Sequence, residues 1–381
     1  MSRGLSLYLD GIRVVAALVV LLSHWAYARF TDGAYLGIRA LNLGSDAVVL
    51  FFVMSGLVIA HTAEAKDRTA RAFLFSRATR VFSVAAPALL LGFVLDRTGA
   101  ALAPAAYDGW WYQPLGLGET LFYGLSFSSQ WLGTDVRLGS NGPYWSLSYE
   151  VAYYLLFAAV FYARGPARLL LAALVAVAAG PKVALLLPAW LAGVAAWRAI
   201  RAGRWRPRPR LAWALAVLPP LAYVLALAAG LPPLLMRLTV AMLGMEPARV
   251  AALLDFSDEF LWNWLIAALA AVHVIAVAAL FRRRAEPTEG AGRTPLLPRL
   301  ACAVRWAAGA SFSLYLVHYP VLQFADAVLP EAPWPPLRHL ALLAAALAVC
   351  LAFARLFERP LPAFRARLLR LAGRRERAAV P

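Results

Sequence analysis

The chain has 381 residues, 62% of them hydrophobic and only 15% charged, which is more apolar surface than one soluble core can bury. Its formal net charge of +17 is concentrated in short loops between apolar runs, a topogenic pattern that argues for the lipid bilayer, and against nucleic acid, as the partner. Cys302 and Cys350 lack any metal-ligand spacing, so neither a disulfide framework nor a metal site is expected.

The repeated apolar runs predict an all-α polytopic bundle of about ten transmembrane helices, near 8–28, 44–63, 81–97, 143–163, 167–180, 182–200, 211–230, 260–281, 306–324 and 338–357. Ala26-Tyr27-Ala28 mimics a signal-cleavage site, but Arg13 interrupts the apolar run before it, so this segment is expected to remain as the first span. Basic loops at Lys66–Arg80, Arg198–Arg210 and Arg282–Arg305, with the tail after Arg359, all fall on one side when both termini are cytoplasmic. The expected location is therefore the bacterial inner membrane. The transmembrane domain covers 1–360, followed by a basic cytoplasmic tail, 361–381. Residues 98–142 are too polar to span and rich in Trp and Tyr, so they are expected to lie at the outer interface or to re-enter. Residues 282–298 read as a flexible cytosolic loop.

Ionisable groups inside a bilayer are costly, which makes each one a functional candidate. Arg13 and His24 share the first span. Eleven residues make three turns and about 20°, which places both on nearly one face, about 16 Å apart. Glu150 lies two turns into its own span after Trp145 and Ser146, where a carboxylate needs a partner. His318 lies near the outer end of the ninth span. His61, His273 and His339 read as structural. Arg77 and Arg80, three residues apart at the entrance of the third span, form a fork suited to phosphate oxygens, although topology alone explains them equally well.

The order of several short motifs resembles the acyltransferase 3 family along essentially the whole chain. Leu9-Asp10-Gly11-Ile12-Arg13 through His24 matches that family's opening, with its Arg-x10-His spacing. Phe51-Phe52-Val53-Met54-Ser55-Gly56 and the Arg77/Arg80 pair follow, then Trp145-Ser146-Leu147 with Glu150, then Ser311 to Pro320, and finally Phe357-Glu358-Arg359-Pro360. One departure is that Val48-Val49-Leu50 precedes Phe51 where many members carry Gly-Val-Asp, which leaves the role of Asp46 open.

The resemblance implies a membrane-embedded O-acyltransferase. It would move an acyl group, acetyl above all, from cytosolic acyl-CoA to a hydroxyl of a carbohydrate-like acceptor, with no permanently bound cofactor. His24 would be the general base and Arg13 would line the donor passage. Arg77 and Arg80 would hold CoA phosphates. Glu150, Trp145, Ser146 and His318 would organise the acceptor side, with Glu150 pairing a buried cation or orienting His24. A transporter or flippase of a glycan or lipid intermediate is the alternative, since intramembrane Arg, His and Glu also build substrate pathways; an assembly factor is a further one.

Overall fold

The computed structural model describes residues 1–203, 205–284 and 296–378. The expected flexible loop at 282–298 lies mostly outside them. The described elements are helical, with no strand among them. The main helices are α1 (Arg3–Trp25), α2 (Leu43–Ala65), α3 (Ala70–Leu102), α4 (Trp145–Tyr162), α5 (Pro166–Ala202), α6 (Pro209–Ala228), α7 (Phe260–Arg284), α8 (Leu296–Ala308), α9 (Ser311–Val328), α10 (Pro335–Phe353) and α11 (Leu361–Ala378). Side-chain caps open two of them: Ser2 accepts from Leu5 N at 3.3 Å and Thr69 from Ala72 N at 3.2 Å. The chain is thus a polytopic all-α membrane protein.

Among the described residues, seven helices are long and apolar enough to cross a membrane by themselves, or eight if the bent pair α8–α9 counts as one span. This test does not reproduce the expected ten. Two segments account for the difference. Helix α4 carries four tyrosines and Glu150 within 18 residues, which lowers its hydropathy. Helix α5 runs 37 residues but breaks at Gly180, where φ 81° and ψ 176° leave helical space, a conformation open to glycine.

Hydrogen bonds show what that break does. Tyr162, just before α5, bonds the Asp67 carbonyl beyond the end of α2, and Arg201, at the far end of α5, pairs with Glu64 at 2.5 Å. Between them, Ala178 O accepts from Leu132 N at 3.0 Å, and Lys182 Nζ reaches Gln130 Oε1 at 3.1 Å. A straight helix of this length would separate its ends by about 55 Å. Both ends of α5 instead lie beside the end of α2, so the chain reverses at Gly180.

The second arm of α5 packs against α2 through small residues. A Cβ added to Gly56 would fall 2.0 Å from Trp190 O, and one added to Gly193 would fall 1.9 Å from Val53 O. Backbones this close are a membrane packing device, because they maximise van der Waals contact where no hydrophobic force acts between helices. The polar segment 98–142 folds back on the bundle through a short helix, Leu117–Ser126. Asp96 accepts from Ser140 N and Oγ at 2.8 and 2.6 Å, and Asn141 Nδ2 donates to Leu316 O at 3.0 Å. Asp46 also receives a role here, accepting from Tyr223 at 2.7 Å and Trp262 at 2.9 Å, which ties α6 and α7 to α2.

Candidate active site

A cavity of about 490 Å³ opens between α1, α2, α3, α4, α8 and α9. Its lining holds five arginines, Arg13, Arg77, Arg80, Arg305 and Arg365, against two carboxylates, Asp10 and Glu150. Four of the arginines are braced at the cavity wall. Arg13 leans on Asp10 at 3.8 Å, Arg77 on Asp67 at 3.4 Å, and Arg80 on Glu358 at 3.0 Å. Arg365, on α11, donates to Thr79 Oγ1 at 2.7 Å and Ser76 O at 2.5 Å. A cavity with surplus guanidinium charge and partly apolar walls suits a polyphosphate ligand, since guanidinium binds phosphate oxygens with charge-assisted bonds.

Glu358 is 3% exposed and sits on a π-helical turn, Ala354–Glu358, that follows α10. A π-turn widens the helix locally and re-aims side chains. Glu358 here accepts from both Arg80 and the Ser313 backbone N–H, the latter at 2.8 Å, so it joins α3, α9 and the C-terminal segment at the cavity.

Glu150 and Ser146 also face the cavity. Glu150 Oε1 accepts from Ser55 Oγ at 2.6 Å and from Tyr154 Oη at 2.5 Å, and Trp190 Nε1 donates to Ser55 at 3.2 Å. Ser146 Oγ and Tyr315 Oη are 2.7 Å apart, and Tyr315 Oη donates to Pro143 O at 2.9 Å. Tyr315 is the last residue along α9 to line the cavity.

His24 and His318 do not line it. They meet each other, with His24 Nδ1 2.8 Å from His318 Nε2. His318 is 0% exposed, and its Nδ1 lies 2.7 Å from Leu314 O, one turn back on α9. A carbonyl can only accept, so His318 Nδ1 carries the hydrogen and Nε2 presents a lone pair. His24 Nδ1 must then donate, which leaves His24 Nε2 as the basic nitrogen, with no hydrogen-bond partner among the described residues. His318 therefore fixes the tautomer of His24, as a carboxylate does in a catalytic triad. Three residues separate Tyr315, at the cavity end, from His318, about 4.5 Å along the helix axis. The histidine pair thus sits just beyond the cavity floor.

Of the residues singled out in the sequence, the structure brings Arg13, Arg77, Arg80, Glu150 and Ser146 into one cavity and pairs His24 with His318. Glu150 is held by Ser55 and Tyr154, not by His24. Trp145 turns away and stacks on Phe256, with centroids 4.3 Å apart and planes 2° from parallel. His273 bonds Tyr8 and the Ala216 carbonyl, and His61 packs on Trp197. His339 lies 3.4 Å from Asp32. No group of three metal-ligating side chains occurs among the described residues. Sequence reasoning passed over Ser55, Tyr154, Tyr315, Arg305, Arg365 and Glu358; Ser55, Tyr315 and Glu358 sit inside the recognised motifs, which was their available signal.

The Acyltransferase domain family matches residues 6–355. The chain is 31% identical over 156 residues to the acyltransferase MdmB of Streptomyces mycarofaciens. That match covers 39% of this chain and 37% of the relative, so the chain spans little more than a third of that relative's length. No solved structure matches. The family match takes in the histidine pair and four of the five cavity arginines, Arg13, Arg77, Arg80 and Arg305, and covers most of the chain, so the chain belongs to the acyltransferase domain family of multi-pass membrane proteins.

Proposed function

We propose that this protein is an O-acyltransferase that takes an acyl group, acetyl foremost, from acyl-CoA and passes it to a hydroxyl of a carbohydrate-like acceptor. The observation that carries this reading is the shared helix α1, which presents Arg13 to a cavity ringed by arginines and, three turns on, a histidine whose one free nitrogen is basic.

In this scheme the CoA phosphates lie among Arg77, Arg80, Arg305 and Arg365, and the pantetheine arm extends past Arg13 toward Tyr315. His24 Nε2 accepts the acceptor's hydroxyl proton while the oxygen attacks the thioester carbonyl carbon. The carbon–sulfur bond then breaks, CoA leaves as thiolate and takes up the proton, and an ester remains. Neutral imidazole is the form able to act as base. The donor face would be the one carrying the N-terminus and the ends of α2 and α5, which is where the basic loops concentrate.

Purified protein given radiolabelled acetyl-CoA and a panel of glycans should release free CoA in step with labelled ester. A transporter would consume no thioester, so intact acetyl-CoA in the presence of each acceptor would refute the proposal.

A further inference from the structure

At the far side of the histidine pair from the cavity lies an arginine whose surroundings are unlike those of its neighbours. Arg29, on the short helix Ala28–Thr31, donates from Nη2 to Tyr319 Oη at 2.7 Å. Its guanidinium carbon lies 4.0 Å from the centroid of Phe30, 5.0 Å from Trp111, 5.2 Å from Tyr319 and 5.3 Å from Tyr27. Its Nε and Nη1 are both buried and have no acceptor. Arg338, on the same side of the molecule, takes Asp326 at 2.8 Å. Leaving a buried donor unsatisfied is costly, and more so for a charged group. Ring contacts hold the cation without satisfying those N–H groups.

The same tyrosines touch the base. The ring of His24 lies 5.9 Å from Tyr27, stacked, and 5.0 Å from Tyr319, edge to face. A second cation, Arg39, lies 4.8 Å from the Tyr27 centroid. Here, then, are two guanidinium groups and several flat aromatic faces beside the one basic nitrogen of the pair.

We propose that Arg29 binds an oxyanion carried by the acceptor, a carboxylate or a phosphate, and so selects acidic sugars. Tyr27 and Trp111, both partly exposed, supply apolar faces on which a sugar ring stacks, while the oxyanion takes the N–H groups that the protein leaves without acceptors. Calling the bound sugar an acceptor rests on the acyl-transfer reading above; the binding of an acidic sugar does not.

The test is a titration of the protein in lipid nanodiscs with methyl β-D-glucuronide, glucose 6-phosphate and methyl β-D-glucoside, without donor, followed by tryptophan fluorescence. At least one of the two anionic sugars should bind about tenfold tighter than the neutral glucoside, corresponding to one charge-assisted contact of about 1.4 kcal/mol; which of them does so identifies the carboxylate or the phosphate as the partner. Arg29→Gln should abolish that preference and Arg29→Lys should keep part of it, while both variants bind CoA as the parent does. Equal binding of all three sugars, or a preference that survives Arg29→Gln, overturns the proposal. If Arg29→Gln loses CoA binding as well, Arg29→Lys decides: a retained preference supports the proposal, and a lost one with intact CoA binding overturns it. A protein that selects anionic sugars yet never consumes acetyl-CoA would refute the acyl-transfer reading alone.

Discussion

Around Arg13, helix α1 borders a cavity where five arginines face two carboxylates, and on the proposed function binding there rests on charge. Eleven residues further along the same helix, His24 meets His318 through a single 2.8 Å hydrogen bond, and on the proposed function chemistry there depends on which nitrogen holds a proton. On that reading the first region should tolerate small displacements, because a phosphate with several guanidinium partners can shift among them. The second should not, because a rotated imidazole offers the wrong nitrogen. The two regions should therefore fail differently when altered.

The largest effect is expected at the histidines. His24→Ala should lower turnover by ~10²–10⁴-fold, the usual contribution of a general base, with the KM for acyl-CoA little changed. Turnover above a tenth of the parent's would remove His24 from that role. His318→Ala comes next, with a loss of about 10²-fold, because His318 itself touches no substrate but its removal misplaces His24. The loss should fall on kcat, with donor KM again unaffected; a rise in donor KM would mean that the pair belongs to the cavity.

Arg77→Gln combined with Arg80→Gln sharpens the comparison from the other end. Each charge-assisted bond is worth about 1.5–3 kcal/mol, so the double variant should raise the KM for acyl-CoA at least tenfold while kcat at saturating donor falls far less. If the arginines serve topology alone, insertion and yield should suffer instead. The smallest effect is structural. Gly56→Ala drives a methyl group toward the Trp190 carbonyl oxygen and should destabilise the α2–α5 contact by about 1–3 kcal/mol. A lower melting temperature in detergent, with donor KM preserved, is the expected result.

The same contrast explains what could be read in the sequence. Hydropathy and loop charge exposed the helical bundle, and one-dimensional spacing placed Arg13, Arg77 and Arg80, because arginines at a helix entrance announce themselves locally. The Gly180 reversal was also legible, as a boundary between two short apolar runs, although composition by itself merges them. What spacing could not supply was the meeting of α1 with α9. His24 and His318 are 294 residues apart, and nothing local says that one imidazole orients the other. Glu150 shows the converse: two turns into a span it looked like a partner for a buried cation or for His24, yet a serine and a tyrosine hold one of its oxygens. Glu358 gained its place through a π-turn, which leaves no periodic trace.

The central claim is that donor and acceptor approach the histidine pair from opposite ends of the bundle. It is tested most directly in proteoliposomes of one orientation, with labelled acetyl-CoA supplied to a single face and ester formation measured on acceptor at the other. Acetyl-CoA on the face that carries the N-terminus and the arginine cavity should support acylation, and acetyl-CoA on the opposite face should not. Equal activity from either face, or activity only from the face bearing His24, would contradict the account.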